Sequence, residues 1–253
     1  MTRLQPIRPA ATVILVRDPV RDAGEGFEVL MLRRAGGAAF AGGMFVFPGG
    51  RVDGDDHLHA YDRWRMGPTQ AQGAQQRALG AEWRGFWIAG IRESFEEAGL
   101  LLAYDSEGGL LRYTSAAVRE RFERYRAPLH AGEISLADIC ERENLRLAVD
   151  RIHFYNRFVT PLGRPRRFDT RFFVAEAPPG QTGSHDTRET VDSVWISPSE
   201  ALARNDCGEF DLMRVTRVQL EALAGHDSRA ALLTAVSEQR EFPVFRPRIP
   251  VEA

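Results

Sequence analysis

One segment constrains the fold more than any other. Residues 82–98 carry an unbroken helical pattern that stops at Gly99, and its last part reads Ile91-Arg92-Glu93-Ser94-Phe95-Glu96-Glu97-Ala98-Gly99. At about 100° per residue, with Glu93 at the origin, Glu96 falls at about 300° and Glu97 at about 40°. Trp87, Ile88, Ile91, Phe95 and Ala98 gather between about 120° and about 220°. The helix therefore turns one apolar side to a sheet and carries three carboxylates in a wedge about 100° wide. Ser94 stands beside the wedge, outside the apolar side, and Gly99 supplies the left-handed C′ position.

Such a cluster needs a counter-charge. Two carboxylates about 4 Å apart repel by about 1 kcal/mol in water and about 4 kcal/mol at an effective dielectric of about 20. Arg92 offsets part of this through an i, i+4 pair with Glu96, worth about 0.3–0.5 kcal/mol when exposed. A hard divalent cation held by oxygen ligands offsets much more. The donor set contains no His or Cys, so Mg²⁺ or Mn²⁺ is the natural occupant. On these residues alone a solvated helix face stands beside the cation site as a second reading.

The rest of the chain supplies what the helix packs against. Apolar runs at residues 11–16, 27–32 and 44–47 predict strands, the first two separated by a turn-rich stretch with Pro19 and Gly24. Residues 1–9 read as an irregular lead-in, because Pro6 and Pro9 cannot donate to a ladder. Residues 51–81 are polar and Gln/Gly-containing, which reads as a long loop. Helices are expected at 114–126 and 135–144, broken between them at Pro128 and Gly132. Strands follow at 152–159, 167–175 and 191–196, then a short helix opening at Ser197-Pro198. Helical stretches at 212–223 and 229–237 close the chain. Early strands, a central helix, later strands and closing helices predict an α/β sandwich around a mixed sheet. Its 253 residues suffice for one domain over residues 1–253 with a helical C-terminal part at about 205–240.

Phe47-Pro48-Gly49-Gly50 precedes the helix, and together the two segments resemble the Nudix box. That pattern is Gly, five residues, Glu, seven residues, then Arg-Glu-U-x-Glu-Glu-x-Gly-U with U apolar. Gly50 opens it here, and Arg92, Glu93, Glu96, Glu97, Gly99 and Leu100 fill its second half. The resemblance implies a Nudix-type α/β/α sandwich. It also implies a cation held by Glu93, Glu96, Glu97 and the carbonyl of Gly50, with Arg92 orienting a carboxylate. Three departures stand out. Asp56 replaces the mid-box Glu, Ser94 replaces an apolar residue, and 35 residues separate Asp56 from Arg92. An insertion at about 57–81 accounts for the last, since loop and helix need only be neighbours in space and closure cost grows slowly with length.

A box interrupted at this point is similar to the peroxisomal-type coenzyme A diphosphatases and their bacterial relatives. Val29 to Arg34, Val46 to Gly50, Phe168 to Phe173 and Trp195 to Pro198 carry the likeness. Of the coenzyme A signature the chain has Leu30, Arg34, Ala35 and Gly43, with Leu32 and Ala39 in place of a threonine and an arginine. Arg33, Arg51 and the 164–167 arginine cluster are candidates to replace that phosphate contact. The implied reaction is divalent-metal-dependent hydrolysis of a nucleoside-diphosphate derivative, coenzyme A or acyl-coenzyme A first, ADP-ribose or a nucleotide sugar as the alternative. A catalytically silent Nudix-fold ligand sensor is the reading from another class. Arg92, Glu93, Glu97 and Glu189 are the expected catalytic residues, with Asp192 behind Glu189 as a proton acceptor. Arg34, Gly49, Gly50 and Arg51 are expected to bind substrate.

Composition excludes several chemistries. All 33 basic residues are arginine, so neither a Schiff-base lysine nor a P-loop lysine exists on this chain. A net charge of −2 gives no overall attraction to nucleic acid. No apolar run spans a membrane and no secretory lead is evident, and two cysteines, Cys140 and Cys207, are too few for a disulfide framework. The expectation is a cytoplasmic protein with a small-molecule nucleotide as partner, no nucleic acid or membrane, and closing helices that offer a homodimer surface. Both cysteines read as small buried hydrophobes. His57 and His59 read as solvated loop residues, Trp87 as core, and Phe154, Tyr155 and Phe158 as strand core.

Overall fold

A computed structural model describes residues 6–20, 26–37, 41–184 and 190–247. The strands are β1 (Ile7–Arg17), β2 (Glu28–Arg34), β3 (Phe45–Val46), β4 (Gly49–Arg51), β5 (Arg65–Met66), β6 (Ala103–Tyr104), β7 (Arg146–Ala148), β8 (Ile152–Val159), β9 (Arg167–Glu176), β10 (Thr190–Ile196) and β11 (Val244–Phe245). The helices are α1 (Gly73–Leu79), α2 (Trp83–Ala98), α3 (Ala116–His130), α4 (Leu136–Glu143), α5 (Pro198–Asp206), α6 (Arg214–Leu223) and α7 (Arg229–Glu238).

β1 organises the sheet because its residues are apolar on both faces. It pairs in parallel with β9 from Ile7↔Arg167 to Val16↔Glu176, and antiparallel with β2 at one end and β4 at the other. The main sheet runs β10-β2-β1-β9-β8-β11, with β3 beside β2 and β4 beside β1. Alternation along β1 feeds two cores. Ala11, Val13 and Leu15 meet Trp87, Ile91 and Phe95 of α2, with α3 and α4 outside. Ile14 and Val16 meet Ala201, Leu220, Leu223 and Leu232 of α5, α6 and α7. This is the expected α/β/α sandwich around a mixed sheet.

The differences from expectation have local causes. β1 begins at Ile7 and runs through Pro9, whose carbonyl still accepts from Val52 N–H at 3.0 Å. α3 continues past Pro128 to His130, because proline removes one donor without forcing the chain out when neighbours hold it. The segment read as a long loop is built. β5 pairs with β7, which also pairs with β6, and α1 lies across the end of β8. Its glutamines are internal rivets: Gln72 Nε2 donates to Val149 O at 2.8 Å and Ile152 O at 3.1 Å, and Gln75 Oε1 accepts from Phe154 N–H at 2.7 Å. Buried amides with every group paired can replace apolar packing. Cys140 is buried, which pushes its thiol up to about 12, whereas Cys207 is exposed, contrary to expectation. Among the described residues no helix is long and apolar enough to cross a membrane.

Candidate active site

α2 ends where the sequence says it should. Gly99 takes φ 67°, and its N–H returns to Phe95 O at 2.9 Å. The solvated-face reading fails: Glu93, Glu96 and Glu97 are all buried, at 8%, 6% and 6% exposure. Ser94 is buried too, correcting its expected place, and its hydroxyl donates to Leu100 O at 2.9 Å.

Arg92 holds the cluster together. Nε and Nη2 fork onto Asp56 Oδ1 and Oδ2 at 2.9 and 3.0 Å, and Nη2 also reaches Arg51 O at 2.8 Å. Nη1 bridges Glu93 Oε1 at 2.9 Å and Glu96 Oε1 at 3.2 Å. Asp56 therefore meets the arginine despite the insertion between them, and it is 1% exposed. Burial drives the Glu93 carboxyl well above its ordinary range; Arg92 draws it back, and Glu97 and Glu96 push it further up. Glu96 and Asp56 are also raised by burial, against the pull of Arg92. Burial opposes the charge on Arg92, but Asp56, Glu93 and Glu96 outweigh it, so the guanidinium is permanently charged.

The glycines bring backbone to the carboxylates. Gly49 N–H donates to Glu97 Oε2 at 2.8 Å, and Arg34 Nη1 lies 4.0 Å from Glu97 Oε1. A Cβ on Gly50 would fall 2.5 Å from Glu93 Oε1, so this close approach requires glycine. Arg34, Gly49, Gly50, Arg51, Arg92, Glu93, Glu96 and Glu97 all line one cavity of about 1000 Å³. Glu189 lies outside the described residues, as does Ala39. Asp192 is exposed and accepts from its neighbour Ser193 N–H at 2.8 Å.

As to a cation, the donor set is all oxygen and Gly50 forms a cradle that a Cβ would fill, both of which suit Mg²⁺ or Mn²⁺. With Arg92 bridging Glu93 and Glu96, no group of three His, Cys, Asp or Glu among the described residues is gathered to hold an ion.

Two contributors carry no signal in the sequence. His130 Nδ1 lies 3.3 Å from Glu96 Oε2 and lines the cavity. Pro128 in the sequence signals a helix end before it, and His130 stands on the turn beyond that signal. Arg126, 4% exposed, donates through Nε and Nη2 to Glu96 O at 3.1 and 3.0 Å and through Nη2 to Glu97 O at 3.1 Å. It thereby satisfies the free carbonyls at the negative end of α2 and binds Ser184 O at 3.0 Å as well. Other candidates fall elsewhere. His57 and His59 pair with Glu82 and Asp62 outside the cluster, Trp87 is core, and Arg33 donates to Gly43 O. Phe154 is core, but Phe158 lines the cavity.

Comparison with known proteins agrees with this geometry. Residues 69–212 match the sequence model of the NUDT19 Nudix domain. The acyl-coenzyme A diphosphatase NUDT19 of Gallus gallus is 29% identical over 244 residues, covering 80% of this chain and 64% of that protein. The human protein of that name is 28% identical over 214 residues, covering 70% of this chain and 55% of that one. The chain thus spans little more than half the length of such relatives. A Nudix hydrolase from Alicyclobacillus acidocaldarius superposes with a TM-score of 0.75 at 26% identity, covering 92% of this chain and 98% of that chain. With more than half of its length matched by the family's model, the chain belongs to the NUDT19 Nudix domain family of the Nudix hydrolases.

Proposed function

We propose that this chain hydrolyses the diphosphate linkage of a nucleoside-diphosphate derivative, with coenzyme A or an acyl-coenzyme A as substrate and Mg²⁺ or Mn²⁺ as cofactor. The observation that carries the reading is three buried glutamates beside two glycines in a cavity large enough for a nucleotide. That similar proteins are acyl-coenzyme A diphosphatases supports the substrate.

Glu93, Glu96 and Glu97, with the carbonyl of Gly50, would hold the cation, which when bound supplies charge neutralisation at the diphosphate oxygens. Arg92 fixes the rotamers of Glu93 and Glu96 and is itself fixed by Asp56. Gly49 N–H orients Glu97. Arg34 and Arg51 contribute positive charge to the cavity wall, where a diphosphate would lie. A carboxylate must take the proton of the attacking water; we assign this to Glu189, with Glu93 and Glu97 as the alternatives.

Incubation of the chain with coenzyme A, ADP-ribose and dinucleoside polyphosphates, with and without Mg²⁺ or Mn²⁺, tests the reading by mass spectrometry of products. Phosphopantetheine and adenosine 3′,5′-bisphosphate, formed only with metal, are expected. AMP and ribose phosphate from ADP-ribose alone would move the substrate to nucleotide sugars. No product across the panel would leave a ligand sensor.

A further inference from the structure

One face of α3 rests on the last turn of α2. Phe122, Arg126 and His130 are spaced four residues apart, so they lie along one side of their helix. Phe122 is buried and sets its ring edge-on to Phe95 of α2, with centroids 6.5 Å apart. Arg126 and His130, on the next two turns, both reach Glu96.

The first contact completes the end of α2. A helix leaves its last four carbonyls without an intrahelical donor. Phe95 O accepts from Gly99 N–H at 2.9 Å, and Ala98 O accepts from Ser184 N–H at 2.8 Å. The two between them, Glu96 O and Glu97 O, accept from Arg126. They are the backbone groups of two of the three clustered glutamates.

The second contact is of another kind. A helix end is finished by its backbone bonds, and Gly99 already supplies the left-handed stop. His130 instead takes the carboxylate, with Nδ1 3.3 Å from Glu96 Oε2. An ionised carboxylate only accepts, so the imidazole donates from Nδ1. Arg92 Nη1 holds the other oxygen, Oε1, at 3.2 Å. Glu96 is thus gripped at its carbonyl and at both carboxylate oxygens, and each of those oxygens keeps a second lone pair. The His130 side chain is 38% exposed against 6% for Glu96, and it carries the grip out to the cavity wall.

We propose that Arg126 and His130 are positioning residues of the hydrolase, through which α3 fixes the backbone and the carboxylate of Glu96 for cation binding. The inference rests on Glu96 being a cation ligand. Groups that bind a metal's ligand, and not the metal, change affinity or activity by about 10–100-fold when removed.

Calorimetric titration of the chain with Mn²⁺, without substrate, tests it. H130L is expected to bind Mn²⁺ at least about tenfold more weakly at an unchanged melting temperature. H130N returns an amide N–H near the place of Nδ1 and should bind within about threefold of the unaltered chain. R126Q takes donors from two buried carbonyls and should lower Mn²⁺ affinity and melting temperature together, so H130L is the deciding variant. Action through Glu96 also requires that the losses not add: E96Q/H130L should bind no more weakly than E96Q. Equal affinity of H130L and the unaltered chain, or a further tenfold loss in E96Q/H130L of about the size seen in H130L, overturns the positioning role and leaves Glu96 a ligand. Mn²⁺ binding that E96Q does not weaken removes Glu96 from the cation site, and the positioning role falls with it.

Discussion

The two ends of the cavity are built on opposite principles. At the α2 end Asp56, Arg92, Glu93, Glu96 and Glu97 are buried and tied down, with Arg92 touching Asp56, Glu93 and Glu96. At the far end Arg8 on β1 and Arg166 just before β9 are exposed and have no partner among the described residues. Pinned charges hold a geometry within tenths of an ångström, which bond cleavage requires. Free charges are under no such constraint.

The contrast can be broken from the pinned end first. R92A leaves Asp56 buried without its counter-ion and is expected to lose about 3–5 kcal/mol of unfolding free energy in urea. A loss below about 1 kcal/mol would show that the guanidinium does not hold the cluster. E97Q keeps size and the contact with Gly49 N–H while removing charge; kcat should fall about 10²-fold or more, with the melting temperature little changed. Turnover equal to that of the unaltered chain would dismiss Glu97 from the site. G50A sets a methyl group 2.5 Å from Glu93 Oε1 and should lower kcat/KM about tenfold by displacing that carboxylate. An unaffected rate would mean that Glu93 can shift without consequence.

The smallest effect sharpens the comparison from the paired arginines behind the cavity floor. Burial pushes the Asp169 carboxyl up, but bonds from Arg157 and Arg171 outweigh it and hold the group below its ordinary range. The stability this contributes is present above the unfolded pKa of about 3.9 and lost as pH falls through the lower folded value. D169N should therefore cost about 1 kcal/mol or less at pH 7 in denaturant titrations, and the difference should close below about pH 4. A gap that persists into stronger acid would point to packing instead of charge.

What was legible in the sequence was local. The apolar side of α2, its stop at Gly99 and the Arg92–Glu96 pair follow from spacing within one helix. The sandwich around a mixed sheet follows from the order of strand-like and helix-like segments, and its helical layers on both sides from the resemblance to the Nudix box. Long-range polar contacts were not legible. Gln72 and Gln75 look like loop residues because nothing nearby in the chain shows that Val149, Ile152 and Phe154 will meet them. The depth of the glutamates was hidden for the same reason: α3, α4 and the insertion cover α2 from distant parts of the chain. His130 reaches Glu96 only because α3 survives its proline.

The fork between Asp56 and Arg92 has a wider consequence. A planar, two-point clasp fixes both orientation and distance between its partners, so the chemistry is indifferent to how much polypeptide travels from one to the other. That junction is where a chain of this kind can grow new outer architecture, or shed it, while its reactive centre keeps the same shape.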